Sequence, residues 1–123
     1  MAPRILVCDN EDVLRALVRA SLAGNGYDLV EARNGDEALE AARHTRPNIV
    51  VLDMMMPGRS GLDVLAELRA DPRLTNTRVV MLTARTRAAD REAAAEAGAD
   101  RFLTKPFSPL QLRTLVEDML AHP

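Results

Sequence analysis

The sequence predicts a three-layer α/β sandwich of the form (βα)5, a doubly wound parallel sheet between two layers of helices. Three observations predict it. Strand-like and helix-like patterns alternate five times. The strand-like runs are short and apolar on both faces, as strands covered by helices on both sides must be. Glycine and proline punctuation falls between the elements. Right-handed crossovers in a five-strand parallel sheet favour the order 2-1-3-4-5, with the switch point between strands 1 and 3.

Each element can be justified in turn. The first strand is Ile5-Leu6-Val7-Cys8. The helix after it carries a stripe of Val13, Leu14, Leu17, Val18, Ala20 and Leu22, which places Arg15 and Arg19 outside. Gly24 lies just past its end, where a left-handed residue is needed. Leu29-Val30 is the second strand, and Gly35-Asp36 opens a weak, Ala-rich helix. Ile49-Val50-Val51-Leu52 is the third strand. Ser60-Gly61 opens a helix striped by Leu62, Leu65, Ala66 and Leu68. Val79-Val80-Met81-Leu82 is the fourth strand, followed by a second Ala-rich helix from Ala88 to Ala97 and then Gly98. Phe102-Leu103 is the fifth. Ser108 caps the last helix with Pro109 at its first position, and Leu110, Leu112, Leu115, Val116, Met119 and Leu120 form its stripe. Pro47, Pro57, Pro72 and Pro106 all fall between elements. The last helix runs almost to residue 123, so a single domain over 1–123 with no output domain is expected.

Composition narrows the function. A chain of 123 residues with 47% apolar and 28% charged residues is one domain with a proper core. No apolar run approaches the roughly 20 residues of a membrane span, and Arg4, Asp9, Glu11 and Asp12 interrupt any signal peptide. One cysteine excludes a disulfide scaffold and fits a cytoplasmic location. A net charge of −2 argues against direct nucleic-acid binding. Three aromatics (Tyr27, Phe102, Phe107) are too few for base stacking or a flavin held between rings. Gly24-Asn25-Gly26 precedes a strand and is a loop, not a dinucleotide fingerprint, and no Walker-type loop occurs. Of the 16 basic residues, 15 are Arg and one is Lys105.

Ligands in doubly wound sheets bind beyond the carboxyl ends of the strands. There the sequence places Asp9-Asn10-Glu11-Asp12, Asp53, Thr83 and Lys105-Pro106. Asp9, Asn10 and Asp53 offer oxygen ligands to a hard cation, and an open site of one or two carboxylates, a carbonyl and waters suits Mg²⁺. Thr83 can hydrogen-bond a phosphoryl oxygen. Lys105 supplies a compact charge that the planar fork of Arg does not replace, and Asp53 can act as a nucleophile toward phosphorus. Each residue alone has a plainer reading. Asp9 to Asp12 could be first-turn helix acids, Asp53 a turn residue, Thr83 a cap and Lys105 a solvated charge. Their joint placement on one edge is poorly explained as four accidents. For Met54-Met55-Met56 packing is the better reading, and for Cys8 that of a small buried hydrophobe. His44 and His122 do not look catalytic. Arg85, Arg87 and Arg91 form a local basic patch.

Four stretches in order resemble the bacterial response-regulator receiver domain over essentially the whole chain. They are Ile5 to Asp12, Val51 to Gly61, Val80 to Arg85 and Gly98 to Phe107. The resemblance implies a flavodoxin-like fold and a Mg²⁺-dependent switch, not an enzyme beyond assisting its own phosphorylation and dephosphorylation. Asp53 would receive a phosphoryl group from a phosphohistidine on a sensor histidine kinase or histidine phosphotransfer protein. Asp9, Asn10, Asp53 and the Met55 carbonyl would hold Mg²⁺. Thr83, Ala84 and Lys105 would form the phosphoryl pocket, with Thr83 and Phe102 moving on switching and Lys105-Pro106 a cis peptide. Output would be partner binding through the helix 4, strand 5, helix 5 face. The family usually has an acid where Asn10 stands, which weakens that metal role. On the output face, Arg101 stands where an Asp is usual and Leu115 where an Arg is usual. The usual dimer pairs cannot form, so an unphosphorylated monomer is expected. Three rivals are a receiver-like binding module that no longer takes phosphate, an aspartate-nucleophile phosphatase, and a flavodoxin. Met55 stands where the phosphatase would carry a second Asp, and the flavodoxin lacks its ring-stacking aromatics.

Overall fold

The computed structural model describes residues 2–84 and 88–122. Its elements are β1 (Arg4–Cys8), α1 (Asp12–Leu22), β2 (Asp28–Ala32), α2 (Gly35–Thr45), β3 (Ile49–Asp53), α3 (Gly61–Ala70), a 3-10 turn (Pro72–Leu74), β4 (Arg78–Thr83), α4 (Ala88–Glu96), β5 (Arg101–Thr104) and α5 (Pro109–Ala121). Neighbouring strands pair in parallel in the order β2-β1-β3-β4-β5. Arg85 and Arg87, read as part of a basic patch, lie outside the described residues.

Alternation along the strands splits the core in two. Leu6, Cys8, Val50, Leu52, Val79 and Met81 point to the side covered by α2 and α3. Ile5, Val7, Ile49, Val51, Val80 and Leu82 point to the side covered by α1 and α5, against Val18, Leu22, Leu112, Val116 and Met119. The expectation of burial on both faces holds fully for β3, which is buried at every residue. It does not hold for the edge strands. In β2, Asp28 and Glu31 are exposed, and β5 is half-buried throughout.

Helix starts follow local chemistry. Asn34 caps α2 by accepting from the Glu37 amide, and Ser60 with Asp63, and Ser108 with Gln111, form reciprocal capping boxes for α3 and α5. Gly61 is required for another reason. A Cβ there would fall against the Asp53 carbonyl oxygen and lie 2.8 Å from the Met54 Cα, so α3 can start directly beneath the end of β3.

The helical stripes need correction. Val13 is 82% exposed and Leu110 62% exposed, and Ala20 and Ala66 also face outward, while Val64 is buried in place of Ala66. The largest error is Arg15. Placed outside by periodicity, it is buried on α1, and the cause lies at the strand ends.

Candidate functional site

Asp9 directly follows β1 and is fully buried; Asp53 ends β3 and Thr83 ends β4, both buried as well. Lys105 follows β5 and reaches across the sheet edge. Its Nζ donates to Asp9 Oδ2 at 3.0 Å and lies 3.2 Å from Asp53 Oδ1. The Lys105 amide donates to the Thr83 carbonyl at 2.7 Å, which fixes the base of the side chain. The Lys105-Pro106 peptide is cis. One ammonium therefore bridges the two buried carboxylates on either side of the switch point.

The remaining bonds define what is held and what is free. Asp9 Oδ1 accepts from the Glu11 amide at 2.9 Å, and the Asp9 amide donates to the Ala32 carbonyl at 3.2 Å. Asp9 is thus a turn-forming carboxylate, and the residue that caps α1 is Glu11, without a side-chain cap bond. Asp53 Oδ1 accepts from the Met55 amide at 3.2 Å, which leaves Oδ2 without a protein donor among the described residues. Thr83 Oγ1 is buried with no hydrogen-bond partner among the described residues. A buried hydroxyl rarely stays unpaired in a native protein, and leaving one so costs about 1–3 kcal/mol.

Electrostatics follow from this packing. Burial pushes the Asp53 carboxyl above its usual range and the nearby Asp9 charge adds to the effect, against the pull of Lys105 and the Met55 amide. Burial works to lower the Lys105 pKa, but the hydrogen bond to Asp9 and the charges of Asp53 and Asp9 outweigh it and hold it raised. The site is a closely balanced cluster of two acids and one base.

The other expected residues stand at the rim. Asn10 and Ala84 are exposed, and Met55 is 73% exposed while its amide donates to Asp53. Phe102 is half-buried against the core beneath. It also lines a shallow groove with Leu110, Leu115 and the Arg101–Asp118 ion pair (2.7 Å). Among the described residues, no three His, Cys, Asp or Glu side chains converge on a point that could hold a metal. Among the described residues, the buried carboxylates at this edge are those of Asp9 and Asp53. A hard cation that keeps several waters fits such a donor set.

Sequence reasoning missed two residues here. Gly61 lets α3 approach the backbone of Asp53. Arg15 donates from Nη1 to the Asp9 carbonyl at 2.6 Å and pairs with Asp12 through Nη2. A buried guanidinium leaves no trace in hydropathy periodicity. A usable signal was an Arg in the first turn of the helix that follows an acidic strand end.

Strand order and site together define a doubly wound α/β domain with a lysine-bridged carboxylate pair at its switch point. The chain belongs to the response regulator receiver domain family, whose sequence model matches residues 5–117. Among its relatives is the DNA-binding response regulator MtrA of Mycolicibacterium smegmatis, 42% identical over 91% of this chain and 48% of that protein. Another is the alkaline phosphatase synthesis transcriptional regulatory protein PhoP of Bacillus subtilis, 37% identical over 98% of this chain and 49% of that protein. The chain spans about half the length of these curated relatives. The chemotaxis protein CheY4 of Vibrio cholerae superposes with a TM-score of 0.92 at 27% identity, covering 97% of this chain and 99% of that one. A putative response regulator from Chloroflexus aurantiacus gives 0.92 at 30% identity, over 99% of this chain and 100% of that one. The protein is a receiver domain of the two-component signalling type, with the five-strand flavodoxin-like fold. Among the described residues, no helix is long and apolar enough to cross a membrane.

Proposed function

We propose that Asp53 is the phosphoacceptor of this receiver, taking its phosphoryl group from a phosphohistidine on a sensor histidine kinase or phosphotransfer protein. An oxygen of the Asp53 carboxylate attacks phosphorus, the P–N bond breaks, and the imidazole leaves with the electron pair of that bond. Asp53 Oδ2, which has no protein donor among the described residues, is the oxygen we assign to the attack. Asp9, Asp53, the Met55 carbonyl and Asn10 would hold Mg²⁺, which when bound neutralises charge on the phosphoryl oxygens. Lys105 offers its ammonium to a phosphoryl oxygen, and Thr83 its unpaired hydroxyl. Ala84 leaves the entrance open.

The unpaired Thr83 hydroxyl is the observation that carries the reading. It is a buried donor at the end of β4 that has no partner among the described residues and could serve an incoming anion. Its capture would draw the end of β4 inward and let Phe102 follow, altering the groove by α5 and thereby partner binding on the α4–β5–α5 face. Asn10 favours a second reading, a binding module that no longer takes phosphate, because it removes one charge from the metal site. Treatment with a small phosphodonor, with and without Mg²⁺, tests the choice by intact mass. A Mg²⁺-dependent gain of one phosphoryl group supports the first reading, and no gain in either condition supports the second.

A further inference from the structure

We infer that Arg15 is a positioning residue for the metal-binding carboxylate of Asp9, an inference that rests on the metal site proposed above. Asp9 stands one residue beyond the end of β1, where the sheet ladder no longer supplies a donor for its carbonyl. Its amide is held by Ala32 and its two carboxylate oxygens by the Glu11 amide and Lys105. The carbonyl is held by Arg15 Nη1 at 2.6 Å, its donor among the described hydrogen bonds. The guanidinium is itself fixed from two further directions. Nη2 pairs with Asp12 on the same helix, and Nε lies 3.4 Å from Glu31 on β2. Glu31 is also gripped by Arg19, one turn along α1, at 2.6 Å.

The planar fork of Arg15 thus ties the β1–α1 turn to α1 and to the edge strand at once. With its amide and carbonyl both held, Asp9 keeps its carboxylate between the Glu11 amide and Lys105. The side chain of Arg15 is 9% exposed, while Arg19, with the same charge and a shared partner, is 55% exposed and pairs with no site residue among the described hydrogen bonds and ion pairs. Arg19 is therefore the natural control.

Charge and positioning make opposite predictions. Deleting a cation near a divalent metal site would tighten metal binding by removing repulsion. Releasing the Asp9 peptide would weaken it, and loss of a group that orients a metal ligand typically weakens binding about 10–100-fold. The experiment is calorimetric Mg²⁺ titration of the wild type and of Arg15→Ala, Arg15→Lys and Arg19→Ala, with the denaturation midpoint of each measured in EDTA. The expected result is Mg²⁺ binding about tenfold weaker in Arg15→Ala, intermediate in Arg15→Lys, which keeps one donor for the carbonyl, and unchanged or slightly tighter in Arg19→Ala. Should Arg15→Ala fail to fold, weakened binding by folded Arg15→Lys beside unchanged Arg19→Ala supports the inference. Binding by folded Arg15→Ala or Arg15→Lys as tight as by the wild type overturns it, as does equal weakening by Arg15→Ala and Arg19→Ala. Wild-type protein that binds no Mg²⁺ overturns the metal site itself and the inference with it.

Discussion

Replacing Lys105 with Met should destabilise the metal-free protein and tighten its grip on Mg²⁺ at the same time. The ammonium lies 3.0 Å from Asp9 and 3.2 Å from Asp53, both buried. At an effective dielectric of about 20, each such pair is worth about 5 kcal/mol of Coulomb energy before desolvation is counted. Breaking a buried ion pair costs about 3–5 kcal/mol, because the partner charge is left uncompensated. Lys105 keeps some access to water, so the lower end applies, about 3 kcal/mol in EDTA at neutral pH. The loss should shrink as pH falls. Asp53 already has a raised pKa, and without Lys105 it rises further, so the variant recovers stability as the carboxyl takes up its proton. Mg²⁺ would meet two mutually repelling carboxylates and no competing ammonium. A tenfold gain in affinity would return about 1.4 kcal/mol at saturation and close roughly half of the gap. Urea denaturation of both proteins in EDTA and in excess Mg²⁺ measures every quantity. Equal stability in EDTA together with equal Mg²⁺ affinity would refute the reasoning and return Lys105 to a solvated charge.

Asn10→Asp should bind Mg²⁺ about tenfold more tightly than the wild type, because a third carboxylate joins the donor set, and should be less stable without metal. Calorimetric titration checks it, and equal affinities would remove Asn10 from the site. Cys8 is fully buried, and burial, with Asp9, Asp53 and Glu37 nearby, pushes its thiol up to about 12. At pH 8 it should therefore react with a disulfide reagent only as fast as the chain unfolds. Its contribution to stability, complete below the ordinary thiol pKa of 9.0, should fall away as pH rises toward about 12. The unphosphorylated chain should sediment as a monomer at micromolar concentration. Arg101 is paired with Asp118 of its own α5, and Leu115 brings no charge to the face. A stable dimer would mean that another surface is used.

What could be read in advance, and what could not, has a physical pattern. The central strands were legible because burial on both faces leaves an unbroken apolar run, as at Ile49 to Leu52. The edge strands were legible in position but not in extent. Asp28 and Glu31 break the apolar signal of β2, although the backbone continues pairing with β1. Asp9, Asp53, Thr83 and Lys105 could be found together because a parallel sheet delivers all its strand ends to one edge. Arg15 could not, since a guanidinium that turns back to a carbonyl has the hydropathy of one in water. Leu110 errs in the opposite direction: it fits the apolar period of α5 yet sits in the first turn, beyond the reach of the core. That the Thr83 hydroxyl finds no partner among the described residues is a property of packing and could be seen only in three dimensions.

Borohydride reduction of the phosphodonor-treated chain, followed by tandem mass spectrometry, tests the central claim most directly. Reduction converts an aspartyl phosphate to homoserine and so marks the residue that carried the phosphoryl group. The account predicts homoserine at position 53 alone, formed only when Mg²⁺ is present and absent from Asp53→Asn. Homoserine at position 9 or elsewhere, or at position 53 without any need for Mg²⁺, would contradict it.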